Sequence, residues 1–533
     1  MNAETERTSE RSGLRELPLG LVLLGGVVSA AVLLPLLWLV GMAAGVGQAR
    51  ALELLTSSRT VQVLLNSALL VVGVTGASIL LAVPLAYLTV RTDLPFRRFW
   101  TVAVSLPLVI PSYIGAFAFV SAFGPRGELQ QLLTPFGVES LPAVYGFEGA
   151  LLVLTLYTYP YVYITTRASL KSLDTTLVEA ARTLDHSRWD AFKRVTLPQV
   201  QPAIAAGSLL VALYALSDFG TPAIMQFDVF TRVIYVEQQI GRDYASLLSL
   251  VLVAGTLVIL AVESRIRGEE RDAGRQSGRA DDRVRLGRWR WPAMAFPALV
   301  AGLALAVPLA ILALWLVGGG SEYATTLEFE WQYVTNSVYV AALAALAATL
   351  AGLPVAYLAA RHDSVLTDAY ERLSYVGYAV PGVVLGLALV YFGNRYATPL
   401  YKTVPLLVFA YVVRFLPQSV GSTRASFLTV NPQLPEAART LGRTTVGAFR
   451  AVTLPLIAPG LLGGAALVFL TTMKELPATL LLRPIGFDTL STFIWQAQKA
   501  GHFGAAAVPA LVLLVVSGLS MLVILSREGY DVR

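Results

Sequence analysis

The chain lacks cysteine, has few histidines and carries little charge. Its 533 residues include no Cys, 3 His and 14% charged residues, against 56% hydrophobic residues. Disulfides and thiolate metal sites are therefore excluded, and His186, His362 and His502 are too scattered to suggest a metal centre. No Gly-x-x-x-x-Gly-Lys-Ser/Thr phosphate loop occurs. We therefore expect no metal, no catalytic residues and no ATP hydrolysis by this chain itself.

Long apolar stretches take the place of a polar surface. The mean hydropathy is +0.65, and a helix needs roughly 20 apolar residues to cross a bilayer. Twelve such stretches start near residues 18, 61, 101, 147, 199, 245, 293, 334, 373, 404, 456 and 505. Because backbone groups in lipid must be satisfied within the segment, the sequence predicts an all-α integral membrane protein with twelve spans.

The distribution of positive charge indicates the orientation. The net charge of +6 could suggest a nucleic-acid partner. Most Lys and Arg residues, however, fall in segments that alternating spans place on one side of the membrane. This asymmetry is typical of cytoplasmic segments. We therefore expect a lipid bilayer around the chain, no nucleic acid, and both termini in the cytoplasm.

The two halves of the chain repeat each other. Asn66-Ser67 recurs as Asn336-Ser337, Pro84 as Pro354, Arg91 and Asp93 as Arg361 and Asp363, and Pro111 as Pro381. The offset of 270 falls to 257 from Pro160 and Pro417 onward. Such a repeat predicts two homologous six-helix halves in parallel orientation.

A polar, arginine-rich segment separates these halves. We place the first half at 1–263, the linker at 264–291 and the second half at 292–533. The linker has too few apolar residues to fold alone, so we interpret it as a solvated cytoplasmic connection. A specific lipid or partner site is the alternative.

One cytoplasmic motif occurs in both halves. The motif begins with Glu-Ala-Ala-Arg-Thr-Leu and ends with Val-Thr-Leu-Pro. In it, 12 of 20 positions are identical between residues 179–198 and 436–455. The motif residues are Glu179, Ala180, Ala181, Arg182, Leu184 and Asp185 in the first copy and Glu436, Ala437, Ala438, Arg439, Leu441 and Gly442 in the second.

Each motif predicts a short capped helix. Asp174 or Asn431 suits the N-cap, and Pro432 suits the first helical position. Leu434, Ala438 and Leu441 then form a low apolar ridge at helical spacing. Such a ridge favours close approach by another protein; an amphipathic helix lying on lipid is the alternative.

These motifs resemble the Glu-Ala-Ala loop of permease subunits in binding-protein-dependent importers of the ATP-binding cassette (ABC) superfamily. The family pattern continues through three residues to a glycine and ends in Leu-Pro. Gly442 matches that glycine, whereas Asp185 departs from it, which predicts a different end to the first loop's helix. The resemblance covers essentially the whole chain.

The resemblance implies a type I ABC importer permease in a prokaryotic inner membrane. In that family each loop forms a coupling helix that docks on the ATPase. It therefore implies two copies of a separate ATPase, which bind ATP and Mg, and an external solute-binding protein. This chain itself would need no cofactor.

The cargo is indicated only by residues after the loops. Asp218 and Glu475 occupy equivalent positions, and Arg414 lies inside a span. Charged groups in or beside a membrane are costly, so all three are pathway candidates; an ion pair or helix cap at the surface is the alternative. Residues 473–484 look like the fused permeases of ferric iron importers. Thiamine, phosphonate, polyamine or sulfate permeases stay open, as does an ion-gradient secondary transporter.

Overall fold

The computed structural model describes residues 18–124, 127–138, 144–173, 190, 192–238, 240–272, 284–317 and 328–527. Most of these residues are helical, and extended pairing among them is limited to one isolated parallel bridge between Thr92 and Val284. The expected all-α membrane architecture is therefore confirmed.

The described residues contain 23 α-helices, together with short 3₁₀ and π segments. The first eleven are α1 (Leu19–Ala44), α2 (Gln48–Thr56), α3 (Ser58–Arg91), α4 (Arg97–Ser105), α5 (Ser112–Phe123), α6 (Glu128–Leu133), α7 (Phe147–Ser172), α8 (Leu197–Ser217), α9 (Gly220–Ile224), α10 (Phe230–Glu237) and α11 (Arg242–Asp272). The remaining helices, which follow the linker, are α12 (Ala295–Ala301), α13 (Val307–Val317), α14 (Trp331–Arg361), α15 (Val365–Ala379), α16 (Gly382–Tyr396), α17 (Val404–Thr429), α18 (Gln433–Thr440), α19 (Thr445–Ala448), α20 (Leu454–Lys474), α21 (Pro477–Leu482), α22 (Leu490–Ala500) and α23 (Ala507–Arg527).

Membrane-spanning stretches coincide with the apolar runs, but the count of twelve is not confirmed. Within the described residues, 8 helical stretches are long and apolar enough to cross a membrane, and two bent pairs raise the number to 10. The last predicted stretch is a shorter apolar helix, Phe503–Leu519. The fourth, α7, carries many Tyr and Thr residues and is largely buried by protein. A helix packed against protein has less need of an apolar surface than one facing lipid.

Two spans bend at prolines that the repeat had related. The helices on either side of Pro111 meet at 95°, and those on either side of Pro381 meet at 98°. Proline disfavours helical geometry in the preceding residue, and Ile110 and Val380 are extended, with ψ of 123° and 116°. Each half therefore contains a sharp bend between two apolar helices at the same position.

The described residues form two compact units that cut across the sequence halves. One unit contains residues 18–47, 328–496 and 509–527, and its core is α14 packed against α17 and α20. The other contains the described residues of 48–317 and 497–508, with α3, α7 and α8 at its core. The halves remain the units of the repeat, but they are not the units of packing.

The first span of each half accounts for this difference. Helix α1 packs on α14, α15 and α16, where the Trp38 ring lies 4.8 Å from that of Tyr396. Helix α13 packs on α5, where the Trp315 ring lies 4.9 Å from that of Phe117. Each unit therefore takes one span from the other half of the sequence.

The repeated Asn-Ser pairs fasten equivalent helices within each unit. The asparagine amide donates to the backbone carbonyl of an aspartate. The serine hydroxyl accepts from the backbone N–H of the residue two positions after that aspartate. The contacts are Asn66 Nδ2 to Asp228 O (2.9 Å), Asn336 Nδ2 to Asp488 O (2.9 Å), Phe230 N to Ser67 Oγ (3.1 Å) and Leu490 N to Ser337 Oγ (2.8 Å). These bonds satisfy backbone groups that lack helical partners at the starts of α10 and α22.

Candidate functional site

The second Glu-Ala-Ala motif forms the short helix α18. Its Glu436, in the first turn, and Arg439, in the last, complement the helix dipole. The Asn431 Oδ1 accepts from the backbone N–H of Gln433 at 3.0 Å. The helix begins at Gln433, one residue later than expected, with Pro432 at the N-cap position. Asn431 still satisfies an exposed N–H at the helix start.

Gly442 ends this helix in a left-handed turn. Its φ is +87°, its N–H donates to the Arg439 carbonyl at 3.0 Å, and the Arg443 N–H donates to the Ala438 carbonyl at 3.1 Å. This pair of bonds is the Schellman motif, which favours glycine at the left-handed position. The first copy's residues, Asp174, Glu179, Ala180, Ala181, Arg182, Leu184 and Asp185, lie outside the described residues.

The apolar side chains of the second loop face outward. Leu441 is 86% exposed, Leu434 is 47% exposed, and α18 contains no buried residue. Val446, on the next short helix, is 61% exposed. Exposed leucines beside charged groups are typical of a surface that another protein covers.

Both loops join their spans through equivalent contacts. The Arg361 guanidinium donates to the Val430 carbonyl at 2.8 Å, and Arg91 donates to the Leu173 carbonyl at 3.3 Å. Val430 and Leu173 each follow the last residue of the span that leads into a loop. Sequence reasoning had not assigned these arginines a role, although their recurrence at an offset of 270 was a visible signal.

Each loop leaves through a π-helical turn. The turns are Phe192–Thr196 and Phe449–Thr453, and each immediately precedes the Leu-Pro pair that begins α8 or α20. A π turn inserts one extra residue per turn and often marks a functional site. Their recurrence at an offset of 257 makes them part of the duplicated design.

Glu475 and Arg414 form a buried ion pair. The Arg414 Nη1 lies 3.2 Å from the Glu475 Oε1, and their side chains are 21% and 2% exposed. The structure thus brings together two of the three pathway candidates. Within the described residues, the ion-pair partner of Glu475 is Arg414, not the adjacent Lys474.

Glu475 also caps the helix that follows it. Its carboxylate accepts from the N–H groups of Ala478 and Thr479 at 3.2 and 3.1 Å, and from the Thr479 hydroxyl at 3.0 Å. A carboxylate at this position satisfies the exposed N–H groups of α21. Gly382, the first residue of α16, packs so closely that a Cβ there would lie 1.8 Å from Arg414 Nη1 and 2.4 Å from Glu475 Oε1.

Asp218 does the same in the other unit with different neighbours. Its Oδ2 accepts from the Thr221 N–H at 2.9 Å, at the start of α9, and its Oδ1 accepts from the Ser112 hydroxyl at 2.7 Å. Ser112 begins α5 just as Gly382 begins α16. The position equivalent to Arg414 is Tyr157, whose hydroxyl donates to the Ala304 carbonyl at 3.2 Å. Asp218 and Glu475 therefore lie at the same place in the repeat but in different compact units.

No group of three His, Cys, Asp or Glu side chains that could hold a metal ion occurs among the described residues.

The sequence model of one protein family matches this chain twice. The family is described as "Binding-protein-dependent transport system inner membrane component", and the matches cover residues 76–264 and 352–527. The chain belongs to this family. It is therefore a multi-pass inner membrane permease of an ABC importer, in which a separate ATPase chain hydrolyses ATP.

Individual relatives extend this result. The permease is 34% identical over 513 residues to the "Fe(3+)-transport system permease protein FbpB 2" of Haemophilus influenzae, covering 95% of this chain and 97% of the relative. It is 25% identical over 445 residues to the "Ferric transport system permease protein FbpB" of Actinobacillus pleuropneumoniae, covering 77% and 63%. It is 28% identical over 238 residues to the sulfate transport system permease protein CysT of Escherichia coli, covering 43% and 84%.

Proposed function

We propose that this permease carries ferric iron across the inner membrane. The similarity to an Fe(3+)-transport system permease over 95% of this chain and 97% of that relative carries the proposal. The sulfate relative matches only 43% of this chain, which supports shared architecture more than shared cargo.

The two Glu-Ala-Ala loops are the sites at which the ATPase subunits dock. One loop contains Glu179 and the other Glu436, so two ATPase copies bind, one at each loop. The exposed leucines of α18 support docking at the second loop. The capped ends of α18 support its action as a stiff lever, which must contact its partner differently in the ATP-bound and ATP-free states.

We further propose where the remaining partners lie. Both termini and the linker lie in the cytoplasm with the ATPases, which hold ATP and Mg, and a solute-binding protein docks on the external face. The cytoplasmic assignment fits the contact of linker residue Val284 with residues 91–93, since both segments fall on one side under that topology.

The pathway candidates have a structural role. They are Asp218, Glu475 and Arg414. Glu475 and Asp218 hold the short helices α21 and α9 at the ends of α20 and α8. Arg414 neutralises Glu475. These groups fix the shape of the segments that follow each span, and they do not act as free charges toward the cargo.

Uptake into proteoliposomes tests the proposal. The purified permease, its ATPase and its solute-binding protein are reconstituted, and accumulation of radioactive ferric iron is followed with and without ATP. We expect ATP-dependent iron uptake that excess sulfate, molybdate or thiamine does not inhibit. Uptake of one of those solutes with no iron uptake would overturn the cargo assignment, and uptake driven by an ion gradient alone would overturn the coupling to ATP.

A double substitution tests the coupling loops. Glu179→Gln with Glu436→Gln removes one charge from each loop and leaves the spans unchanged. We expect uptake to fall by about tenfold or more, within the usual range of coupling energies, with normal amounts of permease in the membrane. Normal uptake by this variant with the ATPase still bound would show that the loops are not the coupling elements.

A further inference from the structure

The end of the linker is bonded to the turn between α3 and α4. The Val284 N–H donates to the Arg91 carbonyl at 2.8 Å, and the Asp93 N–H donates to the Val284 carbonyl at 3.3 Å. The Leu286 N–H donates to the Asp93 Oδ1 at 2.7 Å. A bond to a carboxylate is stronger than one between neutral groups. Three bonds thus hold two linker residues, Val284 and Leu286, in a segment whose composition gives no other reason for order.

The same turn reaches the entrance of the first coupling loop. The Arg91 guanidinium donates to the carbonyl of Leu173, the buried residue that follows the last turn of α7. Arg91 therefore binds the linker through its backbone carbonyl and the loop entrance through its side chain. Thr92, between Arg91 and Asp93, is 1% exposed, so the turn is buried at this residue.

The second half has the arginine contact without the linker contact. Arg361 binds the Val430 carbonyl just as Arg91 binds that of Leu173. Asp363, the equivalent of Asp93, is exposed, and its side chain makes no hydrogen bond or ion pair within the described part of the chain. The chain therefore supplies its own control position.

We propose that linker residues 284–286 brace the first coupling loop, with Asp93 as the positioning residue that holds them. A lever transmits displacement only if its base is held. Here the base of the first loop rests on Arg91, whose own position the linker fixes. The linker is therefore part of the coupling device of the first half. This inference rests on the proposed coupling function of the loops.

Two matched pairs of substitutions test the brace in the assembled transporter. Leu286 has φ of −77°, which proline can adopt, so Leu286→Pro removes the N–H that binds Asp93 without straining φ at residue 286. Leu286→Ala keeps that N–H and is its control. Asp93→Ala removes the acceptor, and Asp363→Ala is its control in the other half.

The coupling ratio, ions imported per ATP hydrolysed, is the main measurement. We expect Leu286→Pro and Asp93→Ala each to lower the ratio by about fivefold, at the lower end of typical coupling effects. We expect both controls to stay within about twofold of the unmodified chain, and all four variants to reach the membrane in normal amounts. Equal ratios in a variant and its control would overturn the brace. An unmodified chain that imports no iron would instead refute the proposed function.

Hydrogen exchange gives a readout that does not depend on cargo. The Val284 amide is held by its bond to Arg91, so its exchange reports whether the linker end is docked. We expect Asp93→Ala to speed exchange in residues 284–286 by about tenfold or more and Asp363→Ala to leave it unchanged. Unchanged exchange in Asp93→Ala would show that Asp93 does not hold the linker, whatever the transport result.

Discussion

Glu475→Gln removes one charge from a buried pair and leaves Arg414 without its counter-ion. Removing one member of a buried pair costs about 3–5 kcal/mol. Arg414 keeps 21% of its side chain exposed, which favours the lower end, about 3 kcal/mol. Glutamine also turns one acceptor oxygen into an N–H₂ donor facing the N–H groups of α21, which adds about 1 kcal/mol. We therefore expect unfolding to become easier by about 4 kcal/mol.

The complementary change is Arg414→Met. It leaves Glu475 charged, but that carboxylate keeps its bonds from two backbone N–H groups and the Thr479 hydroxyl. Those bonds reduce the expected cost to about 2 kcal/mol. Together, the two changes leave no unpaired charge, so the double variant should lose about 3 kcal/mol, against about 6 kcal/mol if the effects simply added.

Equilibrium unfolding in mixed micelles, titrated with SDS and followed by tryptophan fluorescence, gives the three free energies. An interaction energy of about 3 kcal/mol between the two changes is the expected result. Additive effects, with the double variant equal to the sum of the single variants, would refute the view that this pair is a unit. The parallel change Asp218→Asn is a comparison at the equivalent position, where the carboxylate accepts from the Ser112 hydroxyl and the Thr221 N–H.

Three further changes probe the close contacts and the loop. Gly382→Ala should cost more than the 1–3 kcal/mol typical of overpacking, while Gly76→Ala, with open space around its Cβ, should not lower the SDS midpoint; equal midpoints would contradict the packing. Gly442→Val should weaken ATPase binding in a titrated pull-down, since a branched residue at φ +87° is strained by about 1–2 kcal/mol. Leu441→Ser should weaken the same binding while leaving the SDS midpoint unchanged; a lowered midpoint would mean that this leucine packs within the permease.

Much of the fold was readable from the sequence because lipid imposes a simple pattern. Every predicted apolar stretch coincides with a helix, and the repeated Asn-Ser pairs and bend prolines mark equivalent positions in both halves. The helix in the second loop was predicted from Asn431 and Gly442, whose local chemistry determines how a helix starts and ends. The count of twelve spans stays a prediction, because α7 carries tyrosine and threonine and is largely buried by protein, and the last stretch is a shorter helix.

Contacts across long sequence separations could not be predicted. Arg414 and Glu475 were separate candidates, because neither segment indicates which residue its charged side chain pairs with 61 positions away. The bond from Leu286 to Asp93 spans 193 residues and uses a backbone N–H, which leaves no trace in residue type. Helix α1 is apolar on all sides, so its sequence could not indicate which helices it packs against.

The packing of α1 has a consequence for how the chain is made. Its neighbour α14 begins about 290 residues after α1 ends. At a synthesis rate of roughly 5–20 residues per second, α1 waits in the bilayer for roughly 15–60 s before that neighbour exists. A helix that must survive alone in lipid cannot carry a charge, and α1 has none. Arg414 lies instead in α17. Its ion-pair partner, Glu475, leaves the ribosome only 61 residues later.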